Sequence, residues 1–99
     1  MIRVRISEDA LQDLNDSFLF YEAQKAGLGD YFAKCLRADI EGLKISAGTH
    51  RLVYQDYLRL LSKVFPCGIF YTVEPTCAVI WAVIDLRRDP AWIRKHLSQ

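Results

Sequence analysis

A short apolar run, Ala78–Ile84, constrains the fold of this chain more than any other segment. The turn-forming sequence Glu74-Pro75-Thr76 precedes the run, and the charged sequence Asp85-Leu86-Arg87-Arg88-Asp89-Pro90 follows it. Apolar runs of this length between turn signals are typical of buried strands, and a strand with two apolar faces needs cover on both sides of its sheet. The sequence therefore predicts a central strand at Cys77–Ile84, with packed layers on both faces.

The first half of the chain predicts one strand and a pair of helices. Ile2, Val4 and Ile6 alternate with arginines, which is typical of a strand with one buried face. Ser7 fits the N-cap of a helix, and Gly27 can end that helix in a left-handed conformation. Apolar residues recur at helical spacing on both sides of Gly27: Leu11, Leu14, Phe18 and Tyr21 before it, and Phe32, Leu36, Ile40 and Leu43 after it. Two helices joined by so short a turn pack as an antiparallel hairpin.

The second half of the chain predicts three strands and a final short helix. The stretch up to Asp56 is predicted as a loop with at most a short extended piece at Arg51–Tyr54. Strands are predicted at Tyr57–Phe65, around the alternating residues Ile69, Tyr71 and Val73, and at Cys77–Ile84. A last helix begins at Pro90 with Asp89 as its cap. This order predicts an α+β domain across residues 1–99, an antiparallel sheet with the helical hairpin packed on one face.

The charge of the chain is low overall and uneven along its length. A net charge of +1 is low for a protein that holds nucleic acid through phosphate contacts alone. Residues 57–99 carry six Lys/Arg against three Asp/Glu, whereas residues 1–56 carry seven against nine. The cations available for a modest basic patch are Arg59, Lys63, Arg87, Arg88, Arg94 and Lys95.

The cysteines and histidines do not have the spacing of a metal site. Cys35, Cys67 and Cys77 form no CxxC pair, and no Cys/His pair has ligand spacing, so we expect neither a metal nor a cofactor. Unpaired cysteines predict a reduced, cytoplasmic protein. His50 and His96 have no neighbouring carboxylate in sequence and are expected to be solvated surface side chains. Neither an apolar N-terminal segment nor a run of about 20 apolar residues is present, so secretion and membrane insertion are not expected.

The sequence at the exit of the central strand is the strongest candidate for a functional surface. Adjacent residues of an extended segment point to opposite sides, so one arginine of the Arg87-Arg88 pair can bridge to Asp85 or Asp89 while the other faces solvent. Trp92, in the basic tail that follows, fits a helix anchor as well as a partner contact.

Three sequence blocks, in this order along the chain, together resemble a known protein family. They are Tyr21-Glu22-Ala23-Gln24 with Gly27–Phe32, then Phe65–Tyr71, then Val83–Trp92. These blocks are similar to the helical hairpin, the strand–turn–strand segment and the C-terminal signature of the RelE/ParE superfamily of toxins from bacterial type II toxin–antitoxin modules. The resemblance implies a small toxin that a cognate antitoxin holds inactive. RelE-like members cleave mRNA on the ribosome, whereas ParE-like members poison DNA gyrase without nuclease chemistry.

The resemblance to a RelE-like nuclease extends only to part of the site. It places three RNA-cleaving cations at Arg59, Lys63 and Arg88. Leu61, Gly68 and Trp92 stand where such a site would have lysine, arginine and tyrosine. Each phosphate-binding or acid group typically contributes about 10²–10⁴-fold to the rate, so an incomplete set leaves little of the mechanism.

We therefore expect a ParE-like toxin without catalysis of its own, directed at DNA gyrase. Target contacts are expected at Arg87, Arg88, Trp92 and Arg94, with Arg88 matching the functional arginine of the family. Antitoxin contacts are expected at aromatic side chains that exceed the needs of a small core: Phe18, Phe20, Tyr21 and Phe70. Two alternatives stay open. One is a ribosome-dependent mRNA endonuclease, and the other is a non-toxic binding or plasmid-stabilising module of the same fold.

Overall fold

The computed structural model describes residues 1–98 and has the predicted α+β class. Its strands are β1 (Arg3–Ile6), β2 (Arg51–Tyr54), β3 (Tyr57–Leu61), β4 (Cys67–Val73) and β5 (Cys77–Asp85). Its helices are α1 (Glu8–Gln24), α2 (Leu28–Ser46) and α3 (Pro90–Leu97). The strand predicted at Tyr57–Phe65 ends at Leu61, and the extended piece at Arg51–Tyr54 is a full strand.

The five strands form one sheet in the order β1-β5-β4-β3-β2, so β5 has a neighbour on each side. The β2–β3, β3–β4 and β4–β5 pairs are antiparallel, but β1 pairs with β5 in parallel. The sheet is therefore mixed, whereas the sequence predicted an antiparallel one. The additional strand β2 explains the difference: each tight connection reverses the chain, so one more strand before β5 turns β5 to run alongside β1.

Both faces of β5 are covered, as its sequence predicted. The α1–α2 hairpin packs on one face over the main core, whose buried members include Phe32, Leu36, Leu43, Ile69, Tyr71 and Ile80. On the other face, α3 closes a smaller cluster of Phe70, Ala82, Ile84 and Leu97. The short C-terminal helix is therefore the second packed layer, and it lies next to the exit of β5.

Glycine and a carboxylate make the close turn between α1 and α2. Gly27 has a φ of +89°, which favours glycine. The Glu22 carboxylate accepts the N–H groups of Gly27 at 3.0 Å and of Gly29 at 3.0 Å, which supplies partners for the first turn of α2. A Cβ at Gly29 would lie 2.8 Å from the backbone oxygen of Phe18, so the two helices can approach this closely only over a glycine.

Substituting Gly29 with alanine should destabilise the protein by about 1–3 kcal/mol, because the methyl group overpacks the contact between the helices. Gly42 provides a matched control, since it lies on the exposed side of the same helix and a Cβ there has no neighbour within 4 Å. Gly42→Ala should stabilise by about 0.5–1 kcal/mol through helix propensity. Urea unfolding followed by circular dichroism measures both free energies, and equal effects would contradict this account.

A buried tyrosine fixes the connection between α2 and β2. Tyr71 is fully buried, and burial raises the pKa of its hydroxyl, so the group stays protonated. The hydroxyl accepts the N–H of Gly48 at 3.0 Å and shares a hydrogen bond with Nδ1 of His50. The prediction that His50 is a solvated surface side chain is wrong: the imidazole is partly buried, and burial lowers its pKa.

The burial of His50 should make stability fall in mild acid. His50 binds a proton less readily in the folded protein than in the unfolded chain, where the pKa of the histidine side chain is 6.5. Stability is therefore complete above that value and declines as the pH falls from 6.5 towards the lowered folded pKa. Urea unfolding at pH 7 and pH 5 should show a smaller loss in His50→Gln than in the wild type. Equal losses in the two proteins would rule out His50 as the titrating group.

Candidate functional site

A cleft of about 440 Å³ opens between α1 and α3, beside the last residues of β5. Its lining combines an apolar floor with charged side chains: Asp13, Asp16, Ser17, Phe20, Tyr21, Cys67, Val83, Ile84, Asp85, Arg87, Arg88, Trp92 and His96. Three of the four predicted target contacts, Arg87, Arg88 and Trp92, therefore lie together in one concave surface. Arg94 is exposed on α3 and is not part of this lining.

The cleft exists because β1 is shorter than β5. The β1–β5 register ends at the pair Ile6–Ile80, and the chain then turns into α1. Where the neighbouring strand is missing, the carboxylate of Asp13 on α1 accepts the N–H of Val83 at 3.0 Å. A helix side chain thus satisfies the backbone of β5 at the point where the sheet has no further strand.

Arg87 is held by the carboxylate two residues before it, as the sequence allowed. Its Nη2 lies 2.6 Å from Oδ2 of Asp85 and its Nε lies 3.0 Å from Oδ1, while its backbone N–H also donates to Oδ1 at 2.9 Å. The hydrogen bond from Arg87 lowers the pKa of Asp85, and the same bond raises the pKa of Arg87. The charge of Arg87 is therefore matched within the protein itself.

Arg88 points the other way and lies over an aromatic ring. Its guanidinium carbon is 4.0 Å from the ring centroid of Trp92, a cation–π contact. Within residues 1–98, no carboxylate lies within ion-pair distance of Arg88. Trp92 is 38% exposed, so the pair presents both a cation and an apolar ring to a partner.

His96 joins this group from the same side of α3. Its imidazole stacks on Trp92 with a centroid distance of 4.8 Å and an interplanar angle of 10°. Its Nε2 lies 3.2 Å from Oδ1 of Asp13. The prediction of a solvated His96 is therefore also wrong. No local sequence signal could have found this pair, because 83 positions separate the two residues.

The three cations of the nuclease alternative do not converge on the cleft. Arg59 lies on β3 and Lys63 follows that strand, and neither lines the cleft with Arg88. A side chain at Gly68 would also need its neighbours to shift. A Cβ there would lie 3.0 Å from Cδ2 of Leu86 and 3.1 Å from Cδ of Arg59.

The predicted antitoxin contacts separate into surface and core residues. Tyr21 is 8% exposed and packs with Phe32 and Phe65, while Phe70 is 2% exposed beneath α3. Both side chains complete the two cores, although Tyr21 also lines the cleft, and their role as antitoxin contacts stays a prediction. Phe18 is half-buried, and Phe20 is 53% exposed at the edge of the cleft. Leu19, which the aromatic pattern did not indicate, is also exposed and precedes Phe20 on α1.

Two further properties of residues 1–98 bear on function. No three His, Cys, Asp or Glu side chains in this part of the chain lie close enough to hold a metal ion. None of the helices in the described residues is both long and apolar enough to cross a membrane.

The Cys67 thiol lines the cleft but should be chemically inert. Burial raises its pKa to about 11, so little thiolate forms near neutral pH. At pH 8 its alkylation by iodoacetamide should be about a hundredfold slower in the folded protein than in urea. Peptide mass spectrometry measures the rate, with the half-exposed Cys77 as internal comparison. Equal rates at Cys67 in the folded and unfolded protein would show that the thiol is accessible and reactive.

Comparison with known proteins supports the resemblance at the level of the fold. No family model and no curated protein matches this chain. A chain of a solved structure described as a chromosomal ParDE TA system from P. aeruginosa aligns with a TM-score of 0.74. The alignment covers 86% of this chain and 96% of that chain, at 13% sequence identity. At this identity the likeness establishes a shared fold, which is the fold that the RelE/ParE resemblance implied.

Proposed function

We propose that this protein is the toxin of a type II toxin–antitoxin module, that it acts in the cytoplasm, and that its target is DNA gyrase. The observation that carries the proposal is the fold shared with a chain of a ParDE system along nearly the whole length of both chains. The sequence blocks that resemble the RelE/ParE superfamily support it independently. The toxin acts by binding and has no catalysis of its own.

The target-contacting group is the Arg88–Trp92 pair at the cleft. Exposed aromatic and arginine side chains are the residue types that most often dominate binding energy at protein interfaces. Arg88 has its guanidinium stacked on an exposed ring, whereas the charge of Arg87 is matched by Asp85. Arg87 therefore supports the exit of β5, and Arg88 makes the contact.

A protein target suits this cleft better than an RNA backbone. Asp13, Asp16 and Asp85 line it together with the two arginines, and carboxylates repel phosphates. The nuclease alternative requires Arg59 and Lys63 to act with Arg88, but neither lines the cleft. This separation supports the gyrase proposal over the endonuclease.

The antitoxin covers the same cleft and so blocks the target. Phe20 lies at its edge, opposite α3, and Leu19 is exposed next to it. Exposed large apolar side chains at one place on a small protein are typical of a partner site. An antitoxin segment seated on Phe20 also covers Arg88 and Trp92, which accounts for neutralisation by occlusion.

Arg88→Ala should weaken the inhibition of gyrase by about tenfold or more, as expected for a central arginine of an interface. The measurement is supercoiling of relaxed plasmid by purified gyrase, with the protein titrated. Lys34→Ala is the matched control, because it removes an exposed cation from α2, away from the cleft, and should inhibit like the wild type. No inhibition and no stabilised DNA cleavage by the wild-type protein would refute gyrase as the target.

Two further measurements separate the alternatives. Induced expression without an antitoxin should arrest growth, and normal growth would instead favour a non-toxic module of the same fold. Toeprinting of translated mRNA should show no codon-specific cleavage. Cleavage that Arg88→Ala abolishes would favour the ribosome-dependent endonuclease.

A further inference from the structure

Asp13 is the residue at which α1, β5 and α3 meet. Its side chain is 14% exposed, and Nε2 of His96 lies within hydrogen-bond distance of both of its oxygens, 3.2 Å from Oδ1 and 3.3 Å from Oδ2. Oδ2 also accepts the Val83 N–H at 3.0 Å. One carboxylate thus occupies the place of the missing strand at the edge of β5 and also holds the C-terminal helix.

The contact continues from His96 to the arginine at the cleft. His96 stacks on Trp92, and the Trp92 ring carries the Arg88 guanidinium. Trp92 and His96 are four residues apart and lie on one side of α3, and Arg88 reaches the Trp92 ring from the segment before the helix. A continuous row of contacts therefore leads from the edge of β5 through Asp13 to Arg88.

The helix that carries this row needs tertiary contacts to form. α3 has eight residues, which is shorter than a stable isolated helix. Its C-terminal end is held by buried Leu97 and by the Tyr57 hydroxyl, which donates to the Leu97 carbonyl at 3.1 Å. On the cleft side, the contact of His96 with Asp13 is the hydrogen bond that joins α3 to α1.

We propose that Asp13 is a positioning residue that fixes α3 through His96 and thereby sets the place of Trp92 and Arg88 at the cleft. The other ionisable groups that line the cavities around the pair are Asp9, Asp16, Tyr21, Tyr57, Cys67, Asp85, Arg87 and Arg88. None of them bonds to His96 in the described part of the chain, so Asp13 is its specific partner. The role of Arg88 in target binding rests on the proposed function, but the positioning itself does not.

An asparagine at position 13 separates shape from charge. Burial raises the pKa of Asp13, so the ionised carboxylate is costly to hold in the folded protein. Asp13→Asn removes that cost, keeps an oxygen for the Val83 N–H and keeps a polar group beside Nε2 of His96. The variant should therefore fold and keep α3 in place.

Native-state hydrogen exchange at pH 8 tests the positioning. Asp13→Ala should speed exchange of the Val83 amide and of the α3 amides by about ten- to a hundredfold, the size expected for one hydrogen bond to a charged group. Amides of Ile69 and Tyr71 in the main core should keep their relative protection. Asp13→Asn should restore slow exchange, and Asp16→Ala, which removes a carboxylate from the same cleft wall, should leave α3 unchanged.

His96→Ala provides a second variant in case Asp13→Ala unfolds. It should release the α3 amides to a similar extent while Val83 stays protected, since Asp13 still accepts its N–H. Exchange of α3 within twofold of the wild type in both alanine variants would overturn the proposal.

Gyrase inhibition supplies a separate functional result. If Asp13 acts through Arg88, then Asp13→Ala should weaken inhibition without adding to the loss in Arg88→Ala. Additive losses would overturn this coupling. If the wild-type protein does not inhibit gyrase at all, the proposed function fails, while the exchange measurement still decides whether Asp13 positions α3.

Discussion

The two apolar faces of β5 are the constraint on which the rest of the structure depends. A strand of this kind is stable only between two packed layers. The α1–α2 hairpin supplies one layer and α3 supplies the other, although α3 is a helix of only eight residues. The candidate site follows from this arrangement, because the cleft lies where the two layers approach each other beyond the end of β1.

Local signals predicted most of the elements. Ser7 and Asp89 cap their helices as expected, and Gly27 adopts the left-handed conformation between α1 and α2. The prediction of a wholly antiparallel sheet was wrong for β1 and β5, because their relative direction depends on how many reversals lie between the two strands. β2 is short and carries no clear alternation, so its sequence did not distinguish a strand from a loop, and this one uncertainty reversed the predicted pairing.

In the candidate site too, contacts between residues close in sequence could be predicted, and contacts between residues distant in sequence could not. The Arg87–Asp85 pair spans two positions and was accessible to sequence reasoning. The His96–Asp13 and His50–Tyr71 pairs span 83 and 21 positions, and only the fold brings them together. Tyr21 and Phe70 are buried, whereas Phe20 is exposed. An excess of aromatic residues in the sequence does not reveal which of them complete the core and which remain on the surface.

Gly68 on β4 packs closely against the segment that follows β5. Leu86 and the stem of Arg59 occupy the space that a side chain on β4 would need. Leu86 also lies between Asp85 and Arg87, and its backbone N–H bonds to the carbonyl of Pro66 at 2.8 Å. A side chain at position 68 would therefore need these neighbours to shift, and a shift of Leu86 is transmitted to the residues on either side of it at the exit of β5.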